Sequence, residues 1–176
     1  MVLTPPQDKR PSQARRLTRA ALLTAIALTI FLAEAQLPPP VPIPGIKLGL
    51  ANIVTVYAVF TLGPRDALMI LCARVFLGAG FSGQMTTLWY SAAGGLLSWC
   101  ALCLLRKALD KRQLWLSSPV AGVCHNLGQL LAAAAMLGTW AVLAYLPYLV
   151  LAGLLAGLFT GVAAQALIGR MEKLGR

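Results

Sequence analysis

Six apolar runs, at 20–37, 46–62, 67–81, 86–105, 118–137 and 141–168, fill most of this 176-residue chain and constrain it more than any other feature. Each is apolar on all sides, so a helix built from it has no polar face to offer water and belongs in lipid or deep inside protein. Charged residues make up only 11% of the chain, against about 25% in a soluble domain, which points the same way. The expectation is an all-α integral membrane protein: a six-transmembrane-helix bundle over residues 17–170. A basic tail at 1–16, proline-bearing and expected to be disordered, precedes it, and a short tail at 171–176 follows. The second and third runs are short. Seventeen residues of helix rise only about 25 Å, less than the roughly 30 Å of a bilayer core, so the spans number five or six.

The net charge of +10 is not spread as it would be for nucleic acid. Lysines and arginines sit in clusters between the apolar runs, with few aromatics among them, and read as topology signals. With six spans and the N-terminus inside, Lys9, Arg10, Arg15, Arg16, Arg19, Arg65, Arg106, Lys107, Lys111, Arg112, Arg170, Lys173 and Arg176 all fall on the cytoplasmic side. Lys47 alone lies in an outer loop, and only Arg74 falls within a span. This predicts a multi-pass protein of the bacterial inner membrane with both termini cytoplasmic. Trp115 near the inner boundary and Trp89, Trp140 and Tyr145 near the outer one fit interfacial belts, while Trp99 does not.

Several motifs are weak on inspection. Cys100 and Cys103 form a C-x-x-C inside LLSWCALCLL, with no second pair and no flanking histidine, and read as small apolar helix residues. Gly78, Gly80 and Gly83 mimic a G-x-G-x-x-G but follow a membrane-type run, so a tight turn explains them better. Ala33-Glu34-Ala35 resembles a signal cleavage site, yet losing the first span would break the agreement between charge and topology. There is no Walker motif, no cofactor is implied, and no cluster of metal-ligand type is present.

Polar groups inside a bilayer are costly and so are candidate functional residues. Arg74 sits in the middle of the third run; His125, Asn126 and Gln129 stand in the fifth as HNLGQ, with His125 and Gln129 on one helix face. Asn52, Gln84 and Glu34 lie toward the outer ends of their runs. Together with Lys47, the set Asn52, Arg74, Gln84, His125, Asn126 and Gln129 defines a candidate substrate pocket open outward. Mutual pairing that only holds the bundle together is the competing reading. Arg74 has Glu34 as its one carboxylate partner in the outer half, and spare guanidinium donors suit an anionic or carbonyl-bearing ligand.

Five prolines in the seven positions 38–44 forbid helix and favour a stiff polyproline-like strap, either a lid over the pocket or a plain connector, with Gly45 allowing a turn. Along the first run Ala21, Ala25, Thr29 and Ala33 recur every four residues, a smooth strip for internal packing or for a partner helix.

The stretches PGIKLGLANIVTVYAVFTLGPRDAL, LCARVFLGAGFSG, YSAAGGLLSW, VAGVCHNLGQLLAAA and YLPYLVLAGLLAGLFTG resemble the bacterial Gx transporter proteins, long labelled heptaprenyl diphosphate synthase component I. That family is similar to the substrate-binding S components of energy-coupling factor transporters. The resemblance implies a six-helix membrane protein that takes up a small vitamin-like or isoprenoid or quinone-precursor molecule from outside, with a transmembrane T subunit and two ATPases as partners. It also implies that the loop after helix one caps the substrate and that Ala21 and Ala25 contact the T subunit. The older label implies a different role, a non-catalytic membrane subunit of an isoprenoid or quinone pathway. Catalysis by this chain alone is not expected, because diphosphate-bound magnesium needs clustered aspartates and only Asp8, Asp66 and Asp110 are present, far apart.

Overall fold

The computed structural model describes residues 13–38, 41–42, 46–83 and 85–174. Among them the chain forms six α-helices: α1 (Gln13–Glu34), α2 (Asn52–Thr61), α3 (Pro64–Ser82), α4 (Met85–Leu105), α5 (Leu114–Leu137) and α6 (Leu146–Leu174). Short 3-10 turns at Lys111–Gln113 and Trp140–Tyr145 lead into α5 and α6, and the described residues contain no strand. The protein is therefore an all-helical membrane-type protein. Four helical stretches, Gln13–Glu34, Met85–Leu105, Lys111–Leu137 and Trp140–Lys173, are long and apolar enough to cross a bilayer. α2 is not. Its ten residues rise about 15 Å, half a hydrocarbon core, because the run at 46–62 becomes helical only at Asn52. α3 is nineteen residues long but carries Arg65, Asp66 and Arg74.

Helix boundaries differ from the sequence expectation at both ends of the chain. α1 begins at Gln13, inside the stretch expected to be a disordered tail, and the remainder of that tail, residues 1–12, lies outside the described residues. The reason is tertiary. Arg16 donates from Nε to Asp66 Oδ2 at 2.7 Å and from Nη2 to Asp66 Oδ1, a bidentate clamp between the first turns of α1 and α3. These hydrogen bonds hold the Asp66 carboxyl below the usual carboxylate range, against the opposing effect of burial. α6 likewise runs on to Leu174, through most of the expected C-terminal tail.

α5 is the central element, packed along both α4 and α6. Small residues make this possible, since without a hydrophobic drive between helices in lipid, close backbone approach supplies the contact. On α6, Gly153, Gly157 and Gly161 recur every four residues against Gly122, Pro119 and Leu114 of α5; a Cβ on Gly122 would stand 2.4 Å from the Gly153 carbonyl oxygen. Ser118 and Thr160 join the same seam through their hydroxyls at 3.0 Å. On the other side Gly94 of α4 meets Gly128 of α5 backbone to backbone. The apparent dinucleotide motif dissolves in the same terms: Gly83 is the left-handed cap of α3, and Gly78 leaves room for the ring of Phe31.

The bundle is polarised. Arg16, Arg19, Arg65, Arg106, Lys111, Arg112, Arg170 and Lys173 lie on helix ends that contact one another: α1 with α3 through Arg16 and Asp66, α4 with α3 where Trp99 Nε1 donates to the Pro64 carbonyl at 3.0 Å, and α5 with α6 where the Trp115 N–H donates to Gln165 Oε1. The Pro64 bond explains why Trp99 sits away from any interfacial belt. At the opposite end Val41 and Ile46, on either side of the last prolines, are buried with Tyr90, Leu130, Ala133 and Leu149 of α4, α5 and α6.

Candidate ligand-binding site

Between α1 and α2 the backbone at 46–51 is non-helical and partly buried, with Ile46 and Ala51 fully so, an arrangement tolerated at membrane depth only where protein satisfies its N–H groups. Side chains from two helices do so here. Glu34, the last residue of α1, accepts from the N–H of Gly49 through Oε1 at 2.6 Å and from the N–H of Leu50 through Oε2 at 3.0 Å. Gln129 of α5 accepts from the N–H of Lys47 at 3.0 Å. The strap is thus bonded to α1 on one side and α5 on the other.

Gln129 is committed further: its amide nitrogen lies 2.6 Å from His125 Nε2. An amide nitrogen only donates, so His125 receives this bond on an unprotonated Nε2 and, as a neutral ring, carries its proton on Nδ1. The ring also supports the strap directly. Gly49 has φ +81, and a Cβ there would stand 2.6 Å from His125 Cδ2, so only glycine fits both the backbone conformation and the contact. The i, i+4 spacing of His125 and Gln129 does place them on one face, as expected from sequence, and that face carries the strap.

Arg74 of α3 lies beside this assembly and is 3% exposed. Its Nε and Nη2 are buried and have no hydrogen-bond partner. Glu34 acts on it electrostatically, but both carboxylate oxygens are already engaged by Gly49 and Leu50. Phe31, one helical turn before Glu34, has the Lys47 ammonium 3.6 Å from its ring centroid and the Arg74 guanidinium carbon 6.0 Å from it. Two cations therefore share one ring and face one carboxylate.

The other candidates divide. Asn126 donates to the Leu149 carbonyl at 2.7 Å, and Asn52 donates to Ser98 Oγ at 2.8 Å, each leaving a buried Oδ1 without a partner. Gln84 lies outside the described residues, as does Gly45. The four-residue strip Ala21, Ala25, Thr29 and Ala33 is exposed, so internal packing does not account for it. Sequence reasoning left Phe31 and Gly49 unremarked; an aromatic one turn before the sole outer-half glutamate, and a glycine two residues after the sole outer lysine, were the available signals.

Among the described residues no three His, Cys, Asp or Glu side chains come together as a metal site. Asp110 instead exchanges hydrogen bonds with Gln113 at the entry to α5, and Cys72, Cys100, Cys103 and Cys124 are free thiols.

A family model described as heptaprenyl diphosphate synthase component I matches residues 23–167, from the middle of α1 to near the end of α6. No curated protein and no solved structure matches the chain.

Proposed function

The chain belongs to the heptaprenyl diphosphate synthase component I family, and from that premise we propose that it is a membrane substrate-binding component rather than a catalyst. In this reading it captures a small molecule beside Arg74, near the strap backbone at 46–51, and delivers it inward as the S component of an energy-coupling factor transporter. The observation that carries it is the buried Arg74 guanidinium with two vacant donors. A buried charge without a partner costs several kcal/mol and persists where something else completes it. The strap supports the reading as a cap: it is stiffened by proline, pinned by Val41 and Ile46, and bonded through Lys47, Gly49 and Leu50 to the helices that flank Arg74. The basic end of the bundle faces the cytoplasm by the positive-inside rule, which turns the strap outward, makes α2 and α3 the two shorter spans of a six-span bundle, and leaves Ala21 and Ala25 exposed for a T subunit. Two ATPase subunits complete such a transporter.

The family description supports a second reading, a non-catalytic membrane subunit of a prenyl diphosphate synthase. One experiment separates the two. The protein is purified through extensive detergent washing, and mass spectrometry identifies what it retains. A stoichiometric small molecule lost from Arg74→Gln supports capture. Co-purification of a prenyl synthase subunit with no retained molecule supports the second role.

A further inference from the structure

The two vacant donors of Arg74 are Nε and Nη2, the pair that forms the side-on edge of a guanidinium. That edge presents two parallel N–H groups at the spacing of the two oxygens of a carboxylate, the bidentate match that lysine, a point charge, does not make. We propose that the ligand is a carboxylate monoanion gripped side-on by this edge, an assignment that rests on the capture reading above and names the chemical class of what is captured.

Three further observations narrow the class. Glu34, the carboxylate that acts electrostatically on Arg74, makes its hydrogen bonds to the N–H groups of Gly49 and Leu50 and none to Arg74 Nε or Nη2. Lys47 adds a second cation to the same ring of Phe31, so the cluster of Arg74, Lys47 and Glu34 carries one uncompensated positive charge. A single negative charge balances it, whereas a dianion such as phosphate overshoots. Gln129 is spent on His125 and the strap, and His125, a neutral ring whose buried Nδ1 has no partner, adds no charge, which leaves Arg74 as the charged anchor and Lys47 as the cation that the strap brings along.

The test uses formate, the smallest carboxylate, which needs no knowledge of the rest of the ligand. In lipid nanodiscs, the ¹⁵N-labelled Nε–H signal of Arg74 is assigned by its loss in Arg74→Lys and followed during titration with sodium formate at constant ionic strength. Formamide, chloride and phosphate serve as the neutral, spherical and tetrahedral controls. The expected result is a saturable shift with formate that formamide and chloride do not give and phosphate gives more weakly. Arg74→Lys, still folded by its melting curve, should bind formate about tenfold more weakly or worse, read from formate-induced shifts of neighbouring backbone amides. No response to formate, or an equal response to chloride or phosphate, overturns the carboxylate assignment. The retained molecule discriminates further. If one is found, depends on Arg74 and lacks a carboxylate, the class is wrong while capture stands; if none is retained and formate is silent, both fail.

Discussion

Replacing Glu34 with glutamine tests the central structural claim, that one carboxylate ties a non-helical strap to α1. The carboxylate accepts two backbone N–H bonds, at 2.6 and 3.0 Å, on a residue only 5% exposed. A glutamine side chain of the same shape accepts one and turns its amide N–H₂ toward the other, leaving a buried backbone donor facing a donor. A charge-assisted bond contributes about 1.5–3 kcal/mol, and a buried donor left unsatisfied costs about 1–3 kcal/mol, so the pair amounts to roughly 2–4 kcal/mol after allowing for overlap between the two terms. The cost falls on local opening, because the seams of α5 with α4 and α6 do not involve Glu34. Hydrogen exchange in nanodiscs, followed by mass spectrometry, should show peptides covering 46–52 exchanging about 30-fold to 1000-fold faster, with peptides across the Gly122 and Gly153 contact unchanged. Uniform acceleration over the whole chain would mean that Glu34 supports the bundle and not the strap. Unchanged exchange at Gly49 and Leu50 would mean that the two bonds contribute nothing.

Gly49→Ala should displace the strap even with Glu34 intact, since alanine at φ +81 costs about 1–2 kcal/mol and its Cβ would press on the His125 ring; exchange at Lys47 rises, and unchanged exchange there refutes the contact. Asp66 has a folded pKa below its unfolded value of about 4, so its contribution is present above that pH and fades as pH falls through the folded value. Exchange at the start of α1 should therefore rise on acidification below about pH 4, and Asp66→Asn should show the loosened state at neutral pH with no further change in that window; the same acid response in both proteins would assign it elsewhere. Ala25→Trp, on the exposed strip, should leave the melting temperature and the retained ligand intact while reducing co-purification of the proposed T subunit, and loss of the ligand with the complex preserved would reverse the assignment of that face.

Much of this architecture is legible in the residues. Apolar runs that lack a polar face announce membrane-type helices, and clustered lysines and arginines foretell a basic end, because both depend on transfer free energies that act residue by residue. Arg74 stands out for the same reason. What escapes the sequence is whatever depends on a bond between distant segments. Residues 46–51 read as the start of a helix, since IKLGLA is apolar enough, and composition cannot reveal that Glu34 and Gln129 take the N–H groups a helix would have used. Residues 13–16 look like a polar tail until Asp66 supplies a partner for Arg16. The seam of Gly153, Gly157 and Gly161 went unread in the sequence, because among so many small residues only the structure tells which ones meet α5.

The shortness of α2 is the feature that joins these threads. A ten-residue helix preceded by half-buried, irregular backbone is too short to cross a bilayer by itself, and interrupted helices are a recurring way for membrane proteins to bring helix ends to bound solutes. Here Glu34 bonds the backbone just before α2, and Arg74 and Lys47 both act on it electrostatically. One glutamate answers two cations and makes both its hydrogen bonds to backbone. In the proposed reading an anion completes this set, and because Glu34 and Gln129 hold the strap by its backbone, a ligand that shifts Arg74 or Lys47 would perturb the groups that hold the strap. On that proposal recognition and capping draw on the same few side chains, so a change in one is expected to be felt in the other.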